Sequence, residues 1–193
     1  QEILKMTDKT RQLLTEIEMI KSPEVGHLVI GILDEVVPDY FFHVPASSTG
    51  KYHPRYCLRE GGLLRHTKAA VRIARELAEQ EVHQFVILDL IYAALILHDC
   101  WKQGLEGSEY TIGNHPEVAA QEIEKYYSRQ ASGCTISREN LDILLGLIRS
   151  HMGQWCMNYK TKQVILPKPQ TPEQHFVHLC DYLASRKSIE VQL

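Results

Sequence analysis

The stretch LILHDCWKQG, Leu95 to Gly104, carries an aliphatic helical run straight into two adjacent ionisable side chains, His98 and Asp99, with Lys102 one turn further on. Burying such groups costs several kcal/mol unless each meets a hydrogen bond, a counter-charge or a metal ion. The rest of the chain has to supply that partner. The run belongs to a helix expected over about residues 84–98, on which Ile87, Ile91, Ala94 and His98 share a face.

Helical periodicity extends in both directions. Upstream, Leu63, His66, Ala70, Ile73 and Leu77 fall at 3–4 spacing, which sets His66 within an apolar stripe. A first helix is expected over about residues 2–20, from Ile3, Leu4, Leu13, Leu14 and Ile17. Ser22-Pro23 then reads as an N-cap with proline at the first helical position, opening a helix to about Val36. Downstream, His115-Pro116 reads as a cap and first-position pair for a helix to about Ser128, and Ser137 opens another that aligns Leu144, Leu147 and His151. Thr171-Pro172, with Gln174 at the capping-box position, opens a last helix that groups Val177, His178, Asp181 and Ala184. Two stretches break the pattern. VPDYFFHVPASSTGKYHPRYCLREGG is too long for a plain connector, and long ordered loops in compact domains are often functional. CMNYKTKQVILPKPQ has strand character, and a short β-hairpin is expected near 156–166. The fold class is therefore all-α, a compact helical bundle, with residues 1–40 as N-terminal helices packing on a core unit of 41–193.

Composition narrows the function. The chain has 193 residues, enough for one domain with a full core, and its 44% hydrophobic and 23% charged residues are ordinary for a globular protein. Lys and Arg total 21 against 24 Asp and Glu, a net charge of −3, which gives no bulk attraction to nucleic acid or anionic membrane. Cys57, Cys100, Cys134, Cys156 and Cys180 are odd in number with no CxxC spacing, so they read as reduced thiols of a cytoplasmic protein. No apolar run approaches a membrane span, and no signal-peptide pattern opens the chain. The chain begins at Gln1, which leaves room for an upstream domain.

His66, His98, His115, His151 and Asp181 thus sit on, or at the ends of, different apolar helix faces, with Asp99 beside them. One histidine on an apolar stripe is ordinarily a core histidine with one hydrogen bond. A whole set on separate helices has a single shared explanation: convergence on metal ions. Four imidazoles and two carboxylates without a thiolate suit Mn, Fe, Co, Ni, Zn or Mg. Six ligands exceed what one catalytic ion takes, so two divalent ions bridged by Asp99 fit the count. Such a centre stays positive and attracts phosphate, and metal lowers the pKa of a water from 15.7 to around 7.

The motifs GGLLRHT, LHDCWK, NHPEVAA, RSHMGQ and HLCDYLASR, in that order, resemble the HD-domain metal-dependent phosphohydrolase superfamily. The resemblance implies His66, His98, Asp99 and Asp181 as the defining metal ligands and His115 and His151 as the extra histidines of binuclear branches. It also implies Lys102 as the lysine of the HDxxK form. The motif style is similar to a bacterial branch with 3′→5′ exoribonucleases, and FFHVPASSTGKYH resembles a loop of small bacterial and phage members. Met152 stands where some branches carry a further histidine, and the Gly-Tyr-Pro mark of cyclic-di-nucleotide phosphodiesterases is absent. No nucleic-acid-binding domain of the exoribonuclease kind is recognisable in the chain.

The expected activity is hydrolysis of a phosphate ester of a nucleotide or short oligonucleotide, a bridging hydroxide attacking phosphorus in line. Asp99, Lys102 and His53 are the candidate catalytic residues, with His53 or Lys102 protonating the leaving group. Lys51, Lys102 and Arg186 are the candidate substrate contacts. His178, one turn before Asp181, reads as a support for the ligands, and Lys160 and Lys162 as a basic lip. The partner is a small phosphate ester or a short single strand of nucleic acid, with no membrane. The rival readings are a non-catalytic module that binds metal and nucleotide, and a di-iron oxygenase of the same superfamily.

Overall fold

The computed structural model describes residues 6–80, 87–130 and 136–189. The α-helices among them are α1 (Asp8–Arg11), α2 (Leu14–Ile17), α3 (Pro23–Glu35), α4 (Gly62–Gln80), α5 (Leu88–Leu97), α6 (His115–Arg129), α7 (Arg138–Ser150) and α8 (Pro172–Ala184). The fold is an all-α bundle.

Helix α5 is its axis. LDLIYAALIL carries apolar residues on every side, and each residue from Leu90 to Leu97 is buried. A helix apolar all round is satisfied only inside other helices, and α2, α3, α4, α7 and α8 all pack on it. The stripe of Ile87, Ile91, Ala94 and His98 is therefore one side of a helix buried on all its sides. Of the span expected to be helical, residues 84–86 lie outside the described residues, and His98 is the C-cap. Helix α3 leans on α5 with Val25, Leu28, Val29, Ile32 and Leu33. Its start is fixed twice: the Ser22 side chain accepts from the Val25 N–H, and Asp89 on α5 accepts from the backbone N–H groups of Lys21 and Ser22 at 3.0 and 2.7 Å. Leu13 and Ile17 join the same cluster, so the N-terminal helices share the core of α4–α8.

The single helix expected over residues 2–20 is replaced by α1 and α2 with a turn between them; Ile3 and Leu4 lie outside the described residues. Tertiary demands break it. The hydroxyls of Thr7 and Thr10 both donate to the Asp34 carboxylate, Leu13 is drawn fully into the core, and buried Glu16 reaches Arg72 at 3.2 Å. A second difference lies at α6, where Asn114 is the N-cap and His115 the first helical residue. The His115 imidazole donates to the Ile112 carbonyl at 2.8 Å and is held within that turn. A third is the expected hairpin near 156–166, which reduces to one antiparallel bridge between Met157 and Val164. Both residues are exposed, and a two-stranded ribbon with no face to bury is marginal in water.

The long segment before α4 is ordered, with 3-10 turns at Asp39–Phe42 and Arg55–Cys57. Gly62 explains its fit against α4: a Cβ there would lie 2.1 Å from the Cys57 carbonyl oxygen. The capping box at α8 forms as expected between Thr171 and Gln174. Among the described residues no helix is long and apolar enough to cross a membrane.

Ile91 on the buried axis is fully inaccessible, whereas Leu105 is 56% exposed. Ile91→Ala is expected to lower the unfolding free energy by about 2–5 kcal/mol, and Leu105→Ala by less than about 0.5 kcal/mol. Urea denaturation with an unchanged m-value checks both.

Candidate metal centre

Packing of α4 on α8 brings His66 beside Asp181, and packing of α5 and α6 on α7 brings His98 and His115 beside His151. Asp99 follows directly after the C-cap of α5. The six expected ligands meet in one buried cluster. His66 Nε2 lies 2.9 Å from Asp181 Oδ1 and 3.6 Å from Asp99 Oδ2. His98 Nε2 lies 3.5 Å from one oxygen of each carboxylate. His115 Nε2 lies 3.0 Å from Asp99 Oδ1 and 3.3 Å from His151 Nε2.

One local device orients three of the rings. The Nδ1–H groups of His98, His115 and His151 donate to the carbonyls of Leu95, Ile112 and Ile148 at 2.7, 2.8 and 2.7 Å. Each bond runs back three residues, keeps a proton on Nδ1 and turns Nε2 toward the cluster. His178 donates from Nδ1 to the His151 carbonyl at 2.7 Å, so it holds the turn that carries His151 and does not itself face the ligands. Gly153 completes that turn with φ +55°, and a Cβ there would fall 2.4 Å from the His178 ring.

The cluster fits divalent metal. His98 Nε2, His66 Nδ1 and Asp99 Oδ1 are buried without a hydrogen-bond partner. With Nδ1 already donating in both rings, the Nε2 atoms of His115 and His151 face each other at 3.3 Å, an arrangement that a cation between them satisfies. Ligand atoms about 2.1 Å from an ion stand about 3.0 Å apart in an octahedron and about 3.4 Å in a tetrahedron. The separations above cover that range. Three overlapping triads have ligand atoms within 4.8 Å of one another: His66, His98 and Asp99; His98, His151 and Asp181; and Asp99, His115 and His151.

Without metal the cluster balances its own charge. Burial disfavours ionised Asp99, but Lys102 and His98 outweigh it and hold the carboxyl well below its usual range. Asp181 is likewise held down against burial, by His66 and His98. His98 is pushed up to about 10, the two carboxylates overcoming its burial. His151 is pushed down to about 3 by burial and by His98. A proton on His98 thus occupies the role a metal ion would take.

The cluster forms one wall of a cavity of about 400 Å³. Lys102, His53 and Arg186 line it, as do Tyr52, Trp155 and Thr111. Lys102 is salt-bridged to Asp99. His53 sits with its ring 5.6 Å from that of His66 and its Nδ1 buried without a partner; burial, then His66 and Lys102, hold its pKa down to about 3. Lys51 does not line the cavity: it is exposed, with Nζ 5.0 Å from the Tyr52 ring. Lys160 and Lys162 are exposed on the segment between α7 and α8 and do not line it either. Tyr52 and Trp155 escaped the sequence reading, since neither lies on a periodic face. A larger cavity of about 630 Å³ lies between α2, α4 and α5, and no histidine or cysteine lines it.

A family model described as HD domain matches residues 63–186. The chain belongs to the HD-domain family. No curated protein and no solved structure matches it. HD-domain proteins are in general metal-dependent phosphohydrolases, and the match runs from just before His66 to just past Asp181, taking in the whole cluster. His53 and Tyr52 precede the matched HD-domain region.

Three outcomes follow from this geometry. Metal entering the HD cluster must expel the His98 proton, so Zn²⁺ binding near pH 7.5 should release about one proton, read by calorimetry in buffers of different ionisation heat. In metal-free protein the raised pKa of His98 contributes stability that is whole below about 6.5 and fades as pH climbs through about 10. The depressed carboxyls act oppositely, losing their contribution on acidification below 3.8. The metal-free melting temperature should therefore fall on raising the pH from 7 to about 8.5, below the range in which the unfolded thiols ionise, and this fall should vanish with metal bound, whereas the further fall above it, from buried Cys57, Cys100 and Cys180, should remain. Gly153→Ala should cost about 1–3 kcal/mol through strain and overpacking, and weaken metal binding about 10–100-fold by loosening the His151 turn, measured by metal titration.

Proposed function

We propose that the chain is a metal-dependent phosphohydrolase cleaving a phosphate ester of a nucleotide or short oligonucleotide. The observation that carries this is the buried cluster of overlapping ligand triads forming the wall of a cavity with cationic side chains. His66, His98, Asp99, His115, His151 and Asp181 would hold two ions, with Asp99, whose Oδ2 faces His66 and His98 and whose Oδ1 faces His115 and His151, as the shared ligand. When bound, the divalent ions supply Lewis acidity toward the phosphate and a water acidified toward neutral pH.

The chain's own residues supply the rest. Two divalent cations against two carboxylates leave a net positive centre, and Lys102 adds to it. In the metal-free protein its pKa is raised although burial opposes the charge, because Asp99 and Asp181 outweigh that cost, which supports an ammonium beside the phosphate. Arg186 is a second cation on the cavity wall. His53, kept neutral by burial, offers an imidazole N–H to the substrate. With its pKa held down to about 3, His53 serves as a hydrogen-bond donor to the substrate and not as an acid near neutral pH, which leaves Lys102 as the proton source for the leaving group. Lys51 acts at one remove, against Tyr52. Free, buried Cys57, Cys100, Cys156 and Cys180 support a reducing compartment such as the cytoplasm.

The test is hydrolysis of mononucleotides, cyclic nucleotides and short RNA, each with Mn²⁺, Fe²⁺, Co²⁺, Ni²⁺, Zn²⁺ and Mg²⁺. At least one pairing should turn over, and Asp99→Ala should lower kcat/KM by about a thousandfold or more, the scale of losing a catalytic group. Turnover that survives Asp99→Ala, or a metal-loaded protein that binds nucleotides and hydrolyses none, overturns the proposal.

A further inference from the structure

Arg186 is an arginine without a carboxylate partner among the described residues. Its guanidinium lies instead over three aromatic rings, 4.4 Å from Tyr182, 5.4 Å from Tyr52 and 5.8 Å from Trp155. Nε and Nη2 both donate to Ser185 Oγ, at 3.1 and 2.8 Å. Trp155 and Tyr182 lie 14° from parallel with centroids 5.7 Å apart. The assembly comes from three places in the chain: the loop before α4, the turn after α7 and the end of α8. It is tied together by the Lys187 N–H donating to the Tyr52 carbonyl at 2.8 Å. Its outer surface stays open, with Trp155 44% and Tyr52 52% exposed.

Three of its members, Tyr52, Trp155 and Arg186, line the same cavity as Asp99, His115, His151 and Asp181. The cavity, at about 400 Å³, is within the size range of small-molecule sites. Other parts of its wall are small and hydroxylated, at Ser47, Ser48 and Thr111. A hydrolysable group at the metal ligands therefore has a flat aromatic and guanidinium surface on one side and hydroxyls on another. Aromatic rings and guanidinium planes are the two protein surfaces on which nucleobases stack, and the in-plane N–H groups of arginine reach acceptors on a base edge. A second phosphate on Arg186 would leave the open indole and phenol rings without a role, and an apolar tail would leave the guanidinium without one. A planar heterocycle with acceptors on its edge uses all of them.

We infer that Trp155, Tyr52 and Tyr182, gathered around Arg186, form a stacking platform that holds the base of a nucleotide whose phosphate lies at the metal ligands. This deepens the phosphohydrolase reading and rests on it for the position of the phosphate. The platform selects nucleotides over base-free phosphate esters, and it tolerates different bases because every base offers a π-face.

The chain has two tryptophans; Trp101 is buried at 1% exposure, so an added base changes the emission of Trp155. The experiment titrates Zn²⁺-loaded protein, whose metal is diamagnetic, with adenosine 5′-thiomonophosphate, inorganic thiophosphate and adenosine, following indole fluorescence and calorimetry. The nucleotide should quench the indole and bind at least about tenfold more tightly than thiophosphate, and thiophosphate should bind without quenching. Tyr52→Ala should remove most of the tenfold advantage while leaving thiophosphate affinity as it was. Trp155→Ala, read by calorimetry, should do the same. Equal affinities for nucleotide and thiophosphate, or nucleotide binding that leaves the indole emission unchanged, overturns the platform. Quenching by nucleotide and adenosine with no binding of thiophosphate would support the platform and count against the phosphate-binding metal centre.

Discussion

Two carboxylates inside a helical bundle need cations, and this need organises the molecule. Asp99 is 1% exposed, and its carboxylate contacts Lys102 and stands among imidazoles from four helix ends or faces. The Asp181 side chain is 16% exposed, its Oδ1 turned inward to His66. An uncompensated buried charge costs about 3–5 kcal/mol when a partner is removed, a large fraction of the stability of any domain. In metal-free protein Lys102 and protonated His98 meet that need. Binding of a divalent ion replaces a proton with a stronger charge at the same place. Metal affinity, pH response and core stability are consequently aspects of one electrostatic balance.

The geometry of that balance follows from how helices end. The last turn of a helix carries carbonyls without intrahelical partners and a partial negative charge. His98 caps α5 and His151 caps α7, and in each case Nδ1–H satisfies one of those carbonyls while Nε2 is turned inward. One hydrogen bond thus serves as a helix cap and as the tautomer lock of a ligand. The negative helix ends favour a cation at the same spot. His115 reaches a similar state from the opposite polarity, in the first turn of α6, by donating to Ile112.

Residues that obey a period were legible in the sequence, and residues that obey a contact were not. His66 and Asp181 stand on amphipathic helices, His151 ends another and His98 ends an apolar one, so the 3.6-residue rhythm alone brings them to one interior. The caps at Ser22, Ser137 and Thr171 could be read because side-chain caps are local chemistry. The break between α1 and α2 could not, since its cause, Thr7 and Thr10 donating to Asp34, lies more than twenty residues away in the chain. The hairpin failed for a related reason: strand propensity at Val164 and Ile165 had no face to bury. Tyr52 and Trp155 lie in loops, where position comes from tertiary packing. Only the exposure of two aromatic rings at one cavity separates them from ordinary surface residues.

Family and loop divide the work accordingly. The HD match covers α4 to α8, which supply every ligand of the cluster. Tyr52 and His53 come from the segment ahead of it, and that segment is held in place by the core. Gly62 admits the Cys57 carbonyl against the first turn of α4, four residues before His66. Lys187, just after α8, holds the Tyr52 carbonyl six residues beyond Asp181. Asp181, Tyr182, Ser185 and Arg186 follow one another along a single helix end. The depth of the metal ligand and the height of the aromatic surface are therefore set by the same piece of backbone. A shift of α8 that moved Asp181 toward or away from His66 would carry Tyr182 and Arg186 with it. The separation between Asp181 and the Tyr182 ring and Arg186 guanidinium is in this way built into α8, while Tyr52 is brought against them by the loop ahead of α4.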